Sequence, residues 1–118
     1  LEAQRGAFDA ALEAYRAQVL LALREVEDAL VQLDGSRRRF AALREAADAA
    51  DMAALLATKR YESGIVDFQT VLDTQRSLLV VQESLAGAHA DWVTDHIRLY
   101  KALGGGWRQD EAGGGETP

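Results

Sequence analysis

Residues 59–73 read KRYESGIVDFQTVLD, and this stretch decides the fold. Lys59 and Arg60 are basic residues placed where they complement the negative end of a helix dipole. Gly64 suits the left-handed position that closes a helix. Ile65 and Val66 lead to Asp67, whose side chain can cap the first turn of a following helix, with Thr70 a weaker candidate for that role. A stop followed at once by a start predicts a helix ending near residue 60, a tip turn at 61–66 and a second helix from 67.

Working upstream, large apolar residues fall at Phe8, Leu12, Tyr15, Val19, Leu23, Val26, Leu30 and Leu33. Their steps alternate between three and four, the spacing of a heptad seam. The seam resumes at Phe40 and Leu43 and passes through Ala46, Ala47 and Ala50 to Leu55 and Leu56. Asp34, Gly35 and Ser36 interrupt it. One glycine inside a helix costs about 1 kcal/mol relative to alanine. Strong helix formers flank this point and the single proline is Pro118, so a continuous helix over about residues 2–60 is expected. A turn at Gly35 would instead give a compact, spectrin-like three-helix structural or scaffolding module, and the connectivity of residues 34–36 separates the two.

Working downstream, one seven-residue row is Val71, Leu78, Leu85, Trp92 and Leu99, and the next is Leu72, Leu79, Ala86, Val93 and Tyr100. These two rows are expected to form the apolar face. The row Gln75, Gln82, His89, His96 and Leu103 is expected as a mostly polar flank. A sustained period of seven predicts left-handed supercoiling. Gly104 to Gly106 end the helix, giving about 67–103, and the polar, glycine-rich tail 108–118 is expected to be disordered. A first helix of about 58 residues spans roughly 85 Å and a second of about 37 roughly 55 Å. A hairpin of that kind leaves about 30 Å of apolar stripe without a partner, which neighbouring chain must cover.

The 118 residues carry a net charge of −6, which argues against nucleic acid, whose phosphates need a basic surface. Arg37, Arg38 and Arg39 read as a solvated helix face. The absence of cysteine excludes a disulfide framework and a thiolate metal site. No stretch approaches the roughly 18 apolar residues of a helical membrane span. Leu1 is no initiator, and the apolar pattern already runs by Phe8, so the chain reads as a piece of something longer. No catalytic residues, metal ligands or cofactor are assigned: no GxSxG or phosphate-binding loop occurs, and His89 and His96 stand two turns apart, too far for a one-turn ligand pair. Trp92 and Tyr100 read as core, and Trp107 as an anchor of the chain end.

The run RYESGIVDFQTVLDTQRSLLVVQESLA (60–86), followed by LYKALGGGW (99–107), resembles the end of TolC-like outer-membrane factors of tripartite efflux pumps, in particular their NodT-type lipoprotein branch. AFDAALEAYRAQVLLALREVEDAL (7–30) resembles the start of the long helix that follows the family's last membrane strand. The likeness covers about residues 7–107; the RYxxG turn, VLDxQRSLL and YKALGGGW are its most specific parts. It implies an all-α fold for residues 1–107, a long antiparallel coiled-coil hairpin from the periplasmic α-helical barrel of a trimeric outer-membrane channel. It also implies a passive, non-enzymatic export conduit for small molecules or drugs, of the RND-linked type. The implied partners are two further copies, a periplasmic adaptor, an inner-membrane efflux pump, and the outer membrane through a β-barrel that these residues do not contain.

Residue by residue, the resemblance implies that Arg60, Tyr61, Gly64 and Asp67 form the adaptor-docking tip. It implies that Asp73 belongs to a ring of aspartates at the tunnel's narrowest point. Thr70 stands where some members carry a second aspartate, so a hydroxyl replaces a carboxylate and the constriction is less negative. Without the resemblance, Asp73 reads as an exposed acid favoured by the dipole in the first turns of a helix.

Overall fold

The computed structural model describes residues 1–105; Trp107 and the tail 108–118 lie outside them. The described chain is all-α. Helix α1 runs over Glu2–Glu62 and helix α2 over Phe68–Tyr100, and a π-helical turn follows at Lys101–Gly105.

Helix α1 passes through Asp34, Gly35 and Ser36 without a break. The three-helix bundle needed a reversal there, so that alternative is overturned. The energetics explain the outcome. Glycine weakens the helix by about 1 kcal/mol. Stopping and renucleating the helix, with a nucleation factor near 10⁻³, costs about 4 kcal/mol. Asp34 also offsets part of the glycine deficit, bridging to Arg37 at 3.1 Å and Arg38 at 3.0 Å. Such exposed pairs contribute about 0.3–0.5 kcal/mol each.

The chain divides into two compact units. One is Asp34–Asp95, the end of α1 folded against most of α2. Pairing there is antiparallel, running from Tyr61 with Phe68 beside the turn to Phe40 with Trp92 and Ser36 with Asp95. The covered residues of α1 in this unit include the series Ser36, Phe40, Leu43, Ala47, Ala50, Ala54 and Ala57, beside Asp34 and Thr58. Those of α2 include the series Val71, Thr74, Leu78, Val81, Leu85, Ala88, Trp92 and Asp95, beside Thr70. Both series step by three and four, the signature of a coiled-coil seam.

This corrects the expected faces. The second row of the α2 seam is Thr74, Val81, Ala88 and Asp95, whereas Leu72, Leu79 and Val93 are 37%, 59% and 43% exposed. The reason is angular: at about 100° per residue, row 74 lies nearer row 71 than row 72 does. On α1, likewise, Ala54 and Ala57 are buried while Ala46, Leu55 and Leu56 are exposed. Thr74 enters the seam because its hydroxyl donates to the carbonyl of Val71 at 2.8 Å, which removes the cost of burying a free polar group.

The other unit is Leu1–Leu33 with the described residues from His96 onward. Every residue from 1 to 25 is exposed, and coverage is confined to Val26, Ala29, Leu33, Leu99, Ala102 and Gly104. Phe8, Leu12, Tyr15 and Val19, the apolar stripe expected to lack a partner within the hairpin, are exposed.

A Cβ at Gly35 meets no atom within 4 Å. Gly35→Ala is therefore expected to stabilise the chain by up to about 1 kcal/mol in urea denaturation followed by helical circular dichroism. Destabilisation would mean that the helix is broken at residue 35.

Candidate functional site

The turn between α1 and α2 is built by backbone hydrogen bonds. The Ile65 N–H donates to the Arg60 carbonyl at 2.8 Å and the Gly64 N–H to the Tyr61 carbonyl at 2.9 Å. These two bonds, with Gly64 at φ +76°, make a Schellman motif, the usual way of satisfying the last carbonyls of a helix. A left-handed backbone disfavours any residue with a Cβ, here by strain alone, since no atom lies within 4 Å of the Gly64 Cβ position.

Three residues on, Asp67 caps α2. Its Oδ1 accepts the Thr70 N–H at 3.1 Å and the Thr70 hydroxyl at 2.8 Å. These bonds, the hydroxyl's first, hold the Asp67 carboxyl below its usual range. Asp67 and Thr70, expected in separate roles, are thus joined in one cap.

Around the turn the surface is apolar and open. The Tyr61 ring packs against Phe68 at 5.5 Å, yet both remain largely exposed, and Ile65 is 72% exposed. Asp73 lies on the exposed side of α2, where it accepts a hydrogen bond from Gln69 Nε2 at 3.0 Å. The structure therefore gathers Arg60, Tyr61, Gly64, Asp67 and Thr70 at one turn, while Asp73 faces outward.

Farther from the turn, the seam holds groups that the sequence reading passed over. Asp95 is 6% exposed and accepts a hydrogen bond from the Ser36 hydroxyl. Arg39 bridges to Asp91 at 3.8 Å. The Phe40 ring stacks on Trp92 at 5.3 Å and meets His89 at 5.5 Å, so His89, on the mostly polar flank, lies against the aromatic edge of the seam. The signal for Asp95 was the row Thr74, Val81, Ala88, Asp95, which the bulkier neighbouring row of leucines obscured.

A carboxyl held low by bonds to its ionised form stabilises the fold above the ordinary aspartate range, and that contribution is lost as pH falls through the lowered value. The carboxyl resonance of Asp67 is expected to titrate below about 3.9, and Thr70→Val to move the midpoint back toward it. A midpoint unmoved by Thr70→Val would remove the hydroxyl as the principal cause.

Comparison with known proteins places these features in a family. The sequence pattern of the family described as outer membrane efflux protein matches residues 1–105. The chain is 40% identical over 99 residues to the pyoverdine export outer membrane protein OpmQ of Pseudomonas putida, covering 84% of this chain and 21% of that protein. It is 38% identical to the outer membrane protein OprJ of Pseudomonas aeruginosa, with the same coverage of each chain. It is 35% identical to the toluene efflux pump outer membrane protein TtgI of Pseudomonas putida, again covering 84% and 21%. The chain thus spans about a fifth of the length of the curated relatives it matches. No solved structure matches it significantly.

Proposed function

The chain belongs to the outer membrane efflux protein family, and we propose that it forms the hairpin tip of a passive export conduit in a tripartite, RND-type efflux system. One observation carries this reading beyond family likeness. The α1 side of the seam is lined by Ala47, Ala50, Ala54 and Ala57 toward the turn, while Leu72, Leu79, Val80 and Ile97 of α2 and Met52, Leu55 and Leu56 of α1 face outward. A stripe of that size does not normally face water. Neighbouring helices arranged as a ring cover it, and a homotrimer supplies them. The periplasm is the compartment proposed for this segment. Among the described residues no helix is long and apolar enough to cross a membrane. The proposed β-barrel, which holds the channel in the outer membrane, lies outside these residues.

In this reading the conduit performs no chemistry. An inner-membrane pump supplies the energy, and a periplasmic adaptor couples it to the channel. The cargo is small molecules, as the pyoverdine and toluene named for two relatives suggest. The adaptor docks at the turn, where Tyr61 offers an exposed ring, Arg60 a charge, and Gly64 with Asp67 the backbone shape. Asp73 lines the constriction, since its carboxylate points away from the seam. Thr70 stands beside it with a neutral hydroxyl, donated to Asp67, and adds no charge to the constriction.

The experiment is planar-bilayer recording of the purified full-length protein. The wild type is expected to cross-link to a trimer and to conduct with cation preference, and Asp73→Ala to lose most of that preference. Unchanged selectivity would take Asp73 out of the constriction, and failure to conduct would sink the conduit reading. For the tip, Tyr61→Ala is expected to reduce adaptor cross-linking several-fold while leaving the trimer intact, since hot-spot aromatics dominate such contacts. Undiminished cross-linking would place docking elsewhere.

A further inference from the structure

The Ser36–Asp95 pair is used neither by the turn nor by the constriction. It sits within the coiled-coil seam, far in sequence from the turn that joins the two helices. Asp95 is 6% exposed, and Ser36 Oγ donates to its Oδ2. One turn along α1 from Ser36 the seam residue is Phe40, whose ring is stacked on Trp92. Sliding α2 by one turn in that direction would take the carboxylate from a hydroxyl and set it against a phenyl ring. A carboxylate in an apolar seam is penalised heavily unless it is hydrogen-bonded. A single polar residue at a seam position is a well-attested means of setting register.

Between this pair and the turn the seam has a different character. On α1 it consists of Ala47, Ala50, Ala54 and Ala57 beyond Phe40 and Leu43. On α2 the facing residues are Val71, Leu78, Val81 and Leu85 with Thr74, whose hydroxyl donates to its own helix, so the large side chains are all on one side. Alanine presents a shallow surface with no rotamers to reorganise, so shifts of one helix along the other meet little resistance there.

We propose that Ser36 and Asp95 form an axial register lock: the pair holds α1 and α2 against sliding at that level, and rearrangement of the hairpin is confined to the alanine seam between the lock and the turn. The lock acts within one hairpin. Its use in channel opening rests on the export reading given above.

The test uses outer membranes carrying the full-length protein. Arg39→Cys is combined with Asp91→Cys and a short bifunctional thiol cross-linker spanning about an arginine's length, which reports native register because the native Arg39 side chain reaches Asp91 at 3.8 Å. Arg39→Cys with Gly87→Cys or with Thr94→Cys reports a slip of one turn either way. A Cβ at Gly87 meets nothing within 4 Å, so that reporter is tolerated. The ratio of native to slipped cross-links is expected to fall about fivefold or more in Asp95→Leu, as loss of roughly 1 kcal/mol of pairwise preference would give. Asp95→Asn, which keeps a hydrogen-bonding side chain, is expected to retain the ratio. A ratio unchanged in Asp95→Leu would overturn the proposal. Should Asp95→Leu fail to accumulate, the exchange variant Ser36→Asp with Asp95→Ser decides. Restoration of the wild-type ratio supports the lock, and a ratio no better than that of Asp95→Ser alone overturns it. Cross-linking reads register without transport, so its outcome is independent of whether the protein conducts.

Discussion

The structure depends on a seam whose α1 side, between Leu43 and the turn, is made of alanine. Within the unit Asp34–Asp95, the buried apolar residues are Ala47, Ala54, Ala57, Val71 and Ala88. Burying a methyl-sized group contributes about 0.8 kcal/mol, so such a seam holds two helices together only weakly. What alanine provides is proximity, since interaxial distance follows the size of the side chains at the contact. Leu72, Leu79, Val80, Met52, Leu55 and Leu56 lie on the outside, while Phe40, Leu43, Leu78, Leu85 and Trp92 are half-covered in the seam. A hairpin that leaves many large apolar side chains outside its own seam is suited to packing within a larger array of helices, and the family to which the chain belongs is one of outer-membrane efflux proteins.

The two ends of the Asp34–Asp95 unit are secured by different physics. At the turn the determinants are local: three residues of backbone hydrogen bonding around a left-handed glycine, then a carboxylate cap one residue before α2. At the opposite end they are tertiary and polar: Ser36 with Asp95, Arg39 with Asp91, and the Phe40–Trp92–His89 aromatic group. Between them the seam is alanine-rich on α1. The determinants that hold the two helices together are therefore distributed unevenly along the hairpin.

Much of this was legible in the amino-acid order because it rests on short-range effects. The stop at Lys59 to Gly64, the Asp67 cap and the passage of α1 through Gly35 are each settled within a few residues, by left-handed backbone, by a side chain reaching three residues along, and by the price of renucleation. The heptad period was equally plain, since it needs only the positions of the apolar residues. These features determined that the chain is a pair of long helices joined by one turn. The tertiary structure alone decided which of two adjacent heptad rows becomes the seam, because that depends on the rotational phase of one helix against another. The leucine row looked the better face on hydrophobicity, yet Thr74, Val81, Ala88 and Asp95 lie inside, and no local rule places a buried aspartate opposite a serine 59 positions away.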